Sequence, residues 1–140
     1  MIDLTTSVTL VTFALNIILG VFVLFNNFKK PLNLTFSLFA FVTAIWAFSN
    51  FLFKIIPIVF IIKTQYAIGS LVAPLALIWV NFLKDSKINI YKFIIIILIT
   101  IFLFLAPFIN NLIVKDLKFI SDGNYILDIG LFFNYYGALI

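Results

Sequence analysis

The chain contains no cysteine, histidine, arginine or glutamate: its nine cations are all lysine and its five acids all aspartate. Without cysteine there is no disulfide and no thiolate, and the redox compartment leaves no mark on the sequence. Without histidine there is no imidazole base, no imidazole metal ligand and no histidine phosphoacceptor. The five glycines, Gly20, Gly69, Gly123, Gly130 and Gly137, are scattered and form no phosphate-cradling loop. Charge is also scarce, at 10% of 140 residues, against about 25% in a typical soluble domain. These absences leave no residue set for hydrolytic, metal or cofactor chemistry. The expectation is a chain with no catalytic, cofactor-binding or metal-binding residue of its own.

What the sequence has in quantity is apolar surface: 65% of residues are hydrophobic and nineteen are phenylalanine. A soluble domain carries about 45–50% apolar residues, so the lipid bilayer is the expected solvent and first partner. The apolar runs are continuous, which argues for spanning helices and against a barrel with its period-2 alternation. The net charge of +4 does not point to nucleic acid, because the lysines are dispersed between apolar runs, where topology signals lie. The N-terminus carries Asp3 and no basic region, so the first run reads as a retained span, not a cleaved leader.

Four spans are predicted at about 6–25, 34–53, 64–83 and 90–108. A partial fifth at 129–140 is about 12 residues, roughly 18 Å of helix and too short to cross, so the chain is expected to stop inside that span. Between spans four and five, Asp122-Gly123 sits among short β-prone runs and predicts a small outer β-hairpin. The fold class is therefore an all-α integral membrane protein, a polytopic helical bundle forming one domain over residues 1–140.

Polar and small residues mark the expected helix contacts. Asn16 and Gly20 lie on a small-polar stripe of the first span, where Asn16 needs an interior partner. Pro31 ends the first helix, and Asn33 is the expected N-cap of the second. In the second span, Asn33, Ser37, Ala40, Ala44 and Ala47 form a narrow face for close packing. Leu34, Leu38, Phe41, Ile45, Phe48 and Leu52 form a bulky face turned outward. Trp46 sits a turn too deep for an interface anchor and reads as core packing, with Asn50 near the outer end. Residues 55–62 read as interfacial or as an extra outer turn of the third helix. That helix carries Gln65, Gly69, Ala73 and Ala76 on one face and Ala67, Ser70, Pro74 and Asn81 on another; Pro74 should kink it. The fourth span, nearly all Ile, Leu and Phe, should be peripheral. Candidate intramembrane positions are Asn16, Gly20, Trp46, Asn50, Gly69, Pro74 and Asn81, with a cavity or packing core expected near Asn16, Asn50, Pro74 and Asn81.

The turns at 29–30 and 84–92 hold five lysines and one aspartate, and the opposite side holds four lysines and four aspartates. The first group sits in very short turns, where the positive-inside rule is strongest. The N-terminus is therefore expected outside.

Asn16-x-x-x-Gly20, the short basic turn, Asn33-x-x-Phe36, Trp46 and Tyr66-Ala67-x-Gly69 with Pro74 and Phe82 resemble the N-terminal seven-transmembrane sensor region of bacterial histidine kinases. The hairpin and the aromatic-rich run after Gly130 fit the same pattern. The resemblance implies a sensory input module in the bacterial inner membrane, lacking its remaining spans and its kinase or cyclase output domain. It also implies a homodimer, and it leaves the ligand unidentified. The alternatives are a fragment of a multi-span transporter and a small structural membrane protein.

Overall fold

The computed structural model describes residues 4–84, 89–109, 112–119 and 125–130. Four helices follow one another: α1 (Leu4–Asn26), α2 (Pro31–Ile55), α3 (Val59–Lys84) and α4 (Ile90–Leu105). A 3-10 turn at Ala106–Phe108 continues α4, and two strands follow, β1 (Val114–Phe119) and β2 (Tyr125–Ile129). All four helical segments are long and apolar enough to cross a membrane, the shortest being the 19 residues Ile90–Phe108. At about 1.5 Å per residue that segment is about 28 Å long, close to the roughly 30 Å hydrocarbon core.

The principal packing runs in chain order: α1 on α2, α2 on α3, and α3 more sparingly on α4. α4 is peripheral, as its lack of small residues predicts, with Leu103 its single buried residue. α2 is the central helix. Ser37, Ala40, Ala44 and Ala47 are all buried, as the small-residue spacing predicts. Leu34, Leu38 and Ile45 are exposed. Phe41 and Phe48, expected to share that outward face, turn instead to α1. Phe48 lies 5.1 Å from Phe13 by ring centroids, and Phe41 fills the notch at Gly20. A Cβ on Gly20 would come within 2.8 Å of Phe41 Cε1, so the missing side chain is what admits the ring. On the opposite flank, Phe36 and Phe39 pack on Trp79 of α3, at centroid distances of 5.2 and 6.2 Å.

Helix boundaries correct one expectation and decide between the two readings of another. α2 begins at Pro31, with Lys30 in the capping position and no side-chain cap. Proline's fixed φ and missing N–H suit the first helical position, so Asn33 falls inside the helix. Its Nδ2 donates to the Asn27 carbonyl at 3.1 Å and ties the turn together. α2 ends at Ile55, and α3 starts at Val59, where the Ile58 carbonyl accepts from Ile61 and Ile62. Residues 59–62 are thus an extra turn at the N-terminal end of α3, with Pro57 just before it. α3 runs unbroken through Pro74, which is buried.

The hairpin forms as predicted, antiparallel, with Leu117 opposite Leu127. Val114 and Leu117 are both buried although three residues apart, an odd spacing that a regular strand would place on opposite faces. A register irregularity between Val114 and Asp116 supplies the extra residue that brings both to one face. Val114 joins Ile62, Leu103, Ala106 and Ile113 in one apolar cluster with Phe53, Tyr66 and Leu127 against it, so the hairpin caps the ends of α2, α3 and α4. Ile129, expected to open a fifth span, is the last residue of β2. The Asp122-Gly123 turn, the turn after Lys84 and the rest of the expected fifth span lie outside the described residues.

Ala44 is fully buried and Ile45 is 50% exposed. Ala44→Leu should overpack the seam and destabilise by about 1–3 kcal/mol, whereas Ile45→Leu should stay within about 0.5 kcal/mol. Thermal unfolding of both variants in detergent measures the difference, and equal losses would contradict the facing of α2.

Candidate functional site

Most polar side chains in the helices satisfy themselves locally. Thr9, Asn16, Thr35, Thr43, Thr64, Asn81 and Thr100 each donate to the carbonyl four residues earlier on their own helix. In a bilayer this is the least demanding solution, because it needs no partner from another helix.

Asn50 follows that pattern and adds to it a bond to Gln65 on the next helix. Asn50 Nδ2 donates to the Trp46 carbonyl at 2.9 Å, one turn back along α2. This fixes the amide so that Asn50 Oδ1 faces α3, where it accepts a hydrogen bond from Gln65 Nε2. One turn deeper, the antiparallel helices place Trp46 against Gly69. A Cβ on Gly69 would lie 3.1 Å from Trp46 Nε1, so the missing side chain leaves room for the nitrogen edge of the indole against α3. A polar pair and an aromatic–glycine contact therefore occupy successive turns of one helix seam.

Two cavities adjoin this seam. One, about 260 Å³, is lined by Trp46, Gln65, Tyr66, Gly69 and Val72. The other, about 370 Å³, lies along α1 and α2, with Thr9, Thr12, Asn50 and Lys54 among its walls. Trp46 belongs to both. Lys54 Nζ donates to Thr6 Oγ1 at 3.3 Å across α1 and α2. Two buried polar atoms, Ser37 Oγ and Gln65 Oε1, have no hydrogen-bond partner in the structure. Among the described residues no group of three or more His, Cys, Asp or Glu side chains could hold a metal ion.

Of the sequence candidates, Trp46, Asn50 and Gly69 come together here. Asn16 is spent on the Thr12 carbonyl at 2.9 Å, Gly20 is the notch for Phe41, and Asn81 is exposed and bonded to Leu77 at 2.8 Å. Pro74 is a buried core residue of α3 and does not line either cavity. Sequence reasoning missed Gln65 as a site residue. The signal was present: it is the chain's single glutamine, one helical turn from Gly69 on a span with few polar groups. Its partner across the seam depends on helix register, which no local pattern encodes. The site as built can accept and donate hydrogen bonds beside an apolar cavity. No protein-family model, curated protein or solved structure matches the chain.

Interhelical hydrogen bonds in membranes contribute about 0.6 kcal/mol on average and up to about 1.7. A double-mutant cycle of Asn50→Leu and Gln65→Leu, read by unfolding in mixed micelles, should give a coupling energy in that range. Each single variant should lose more than half of the double variant's loss, because it strands the remaining amide. Strictly additive losses would contradict the bond.

Proposed function

We propose that the chain is a membrane-embedded sensory input module of a bacterial signalling protein, seated in the cell membrane with its N-terminus outside. The observation that carries this reading is the Asn50–Gln65 bond with a cavity on either side of Trp46. A recognition site needs polar groups that fix orientation beside an apolar volume, and this seam supplies both without any catalytic group. The pattern running from Asn16-x-x-x-Gly20 to Phe82 supports the same reading. In the sensor architecture it resembles, the output lies on the cytoplasmic side and signals pass as helix shifts within a homodimer. In this reading the shift acts at the α2–α3 seam. The Asn50–Gln65 bond and the Trp46–Gly69 contact lie in its outer half, with Phe53 packed beyond them against the cluster around Ile62, and the short Lys29-Lys30 turn ties α2 to α1 at the other end.

Two measurements test the proposal. The reading frame downstream of Ile140 should continue into further spans and an output domain with a dimerisation helix and a nucleotide-binding domain; a stop codon directly after Ile140 would overturn it. The chain has no native cysteine, so single substitutions report cleanly. In intact cells a membrane-impermeant thiol reagent should label Ser121→Cys and leave Ser86→Cys unlabelled, and the reverse result overturns the orientation.

A further inference from the structure

We propose that the α2–α3 cavity binds a small uncharged amphiphile: an apolar body carrying one hydroxyl. The inference rests on the sensory reading above for its consequence, and it names the class of stimulus that reading leaves open.

The size of the cavity sets the size of the ligand. An apolar cavity of about 150 Å³ takes up one benzene; at about 260 Å³ this one suits a molecule somewhat larger than that, such as a medium-chain alcohol. Its lining sets the polarity. Trp46, Gln65, Tyr66, Gly69 and Val72 present no charged side chain, and a charge moved into such a site without a partner is strongly disfavoured. Two polar groups on the lining are nevertheless unsatisfied. Gln65 commits Nε2 to Asn50, and its buried Oε1 has no donor. The Trp46 indole N–H, beside Gly69 on a side chain that is 40% exposed, makes no hydrogen bond to the described residues. A missing acceptor and a missing donor in one cavity lining, one on α2 and one on α3, call for a group that can play either part. A hydroxyl is the smallest group that donates and accepts at one atom. An alkyl chain from a neighbouring lipid would fill the volume and leave both groups unpaired, at a cost that is larger in hydrocarbon than in water.

The test uses Trp46 as its own reporter. Trp79, the other tryptophan, is replaced by phenylalanine, and the full chain is placed in lipid nanodiscs. The probes are 8-bromo-1-octanol, 1-bromooctane and 8-bromooctanoate, whose bromine quenches indole fluorescence on contact. Each is scaled to its measured partitioning into empty nanodiscs. The alcohol should quench Trp46 saturably, at a bilayer concentration at least tenfold below that of the bromoalkane or the carboxylate. Gln65→Leu should remove that advantage. Val72→Phe, which fills the cavity without touching the Asn50–Gln65 bond, should abolish saturable quenching and serves if Gln65→Leu does not fold. Equal quenching by alcohol and alkane, or unchanged quenching by the alcohol in Val72→Phe, overturns the proposal. The two proposals fail separately: an output domain after Ile140 with no alcohol preference removes the ligand and keeps the sensor, and saturable binding with a stop codon there does the opposite.

Discussion

Everything in this fold depends on how closely α2 can be approached from two sides. In lipid there is no hydrophobic force to drive one apolar helix onto another, so association comes from tight contact and a few polar bonds. α2 meets that demand with a graded surface. Ser37, Ala40, Ala44 and Ala47 are buried, and at 100° per residue they lie between two flanks. Phe41 and Phe48 reach α1 on one flank, and Phe36, Phe39, Trp46 and Asn50 reach α3 on the other. The large side chains need receiving sites, and the neighbours provide them as missing atoms: Gly20 for Phe41 and Gly69 for Trp46. Each glycine is better explained by the ring it receives than by its own conformation.

The same logic explains why a polar site forms at the Asn50 end of the seam. A small-residue face brings two helices close, and a bulky ring laid across one glycine cannot fill the neighbouring turns completely. The cavity at Gln65, Tyr66 and Val72 is the space left beside that misfit. Gln65 is long enough to cross the seam to Asn50, yet its second amide atom then has nothing to meet. Above it, the hairpin cluster of Ile113, Val114 and Leu127 packs on Ile62 and Tyr66 and closes the end of α3. Tyr66 thus belongs both to the packed cap and to the cavity wall.

What could be read in the sequence was whatever a single helix states about itself. The alternation of four and three in Ser37, Ala40, Ala44 and Ala47 declares a face, and the lack of any such face in α4 declares a peripheral helix. The hairpin was legible because short β-prone runs flank an Asp-Gly pair, although its register irregularity at Lys115 and Asp116 was not. Features that need two helices to exist were invisible or misread. Phe41 and Phe48 look like lipid-facing residues until Gly20 and Phe13 are set opposite them. Asn16 looks like an interhelical donor, but its own Thr12 carbonyl is nearer than any neighbour. Asn33 looks like a cap, and Pro31 pre-empts it because its ring is already in helical geometry.

Trp46 gives the site its mechanical character. Its ring is part of the wall of the α2–α3 cavity and of the cleft beside Thr9 and Thr12 on α1. On the α3 side it lies against Gly69, where an added Cβ would come within 3.1 Å of the indole nitrogen. The ring is 40% exposed and has free volume on both flanks, so it is the one large side chain at this turn that borders α1 and α3 together. The Asn50 amide adds a second link, since it holds the Trp46 carbonyl with one atom and Gln65 with the other. Contacts with α1 and α3 thus converge on one turn of α2, through a single indole and a single amide.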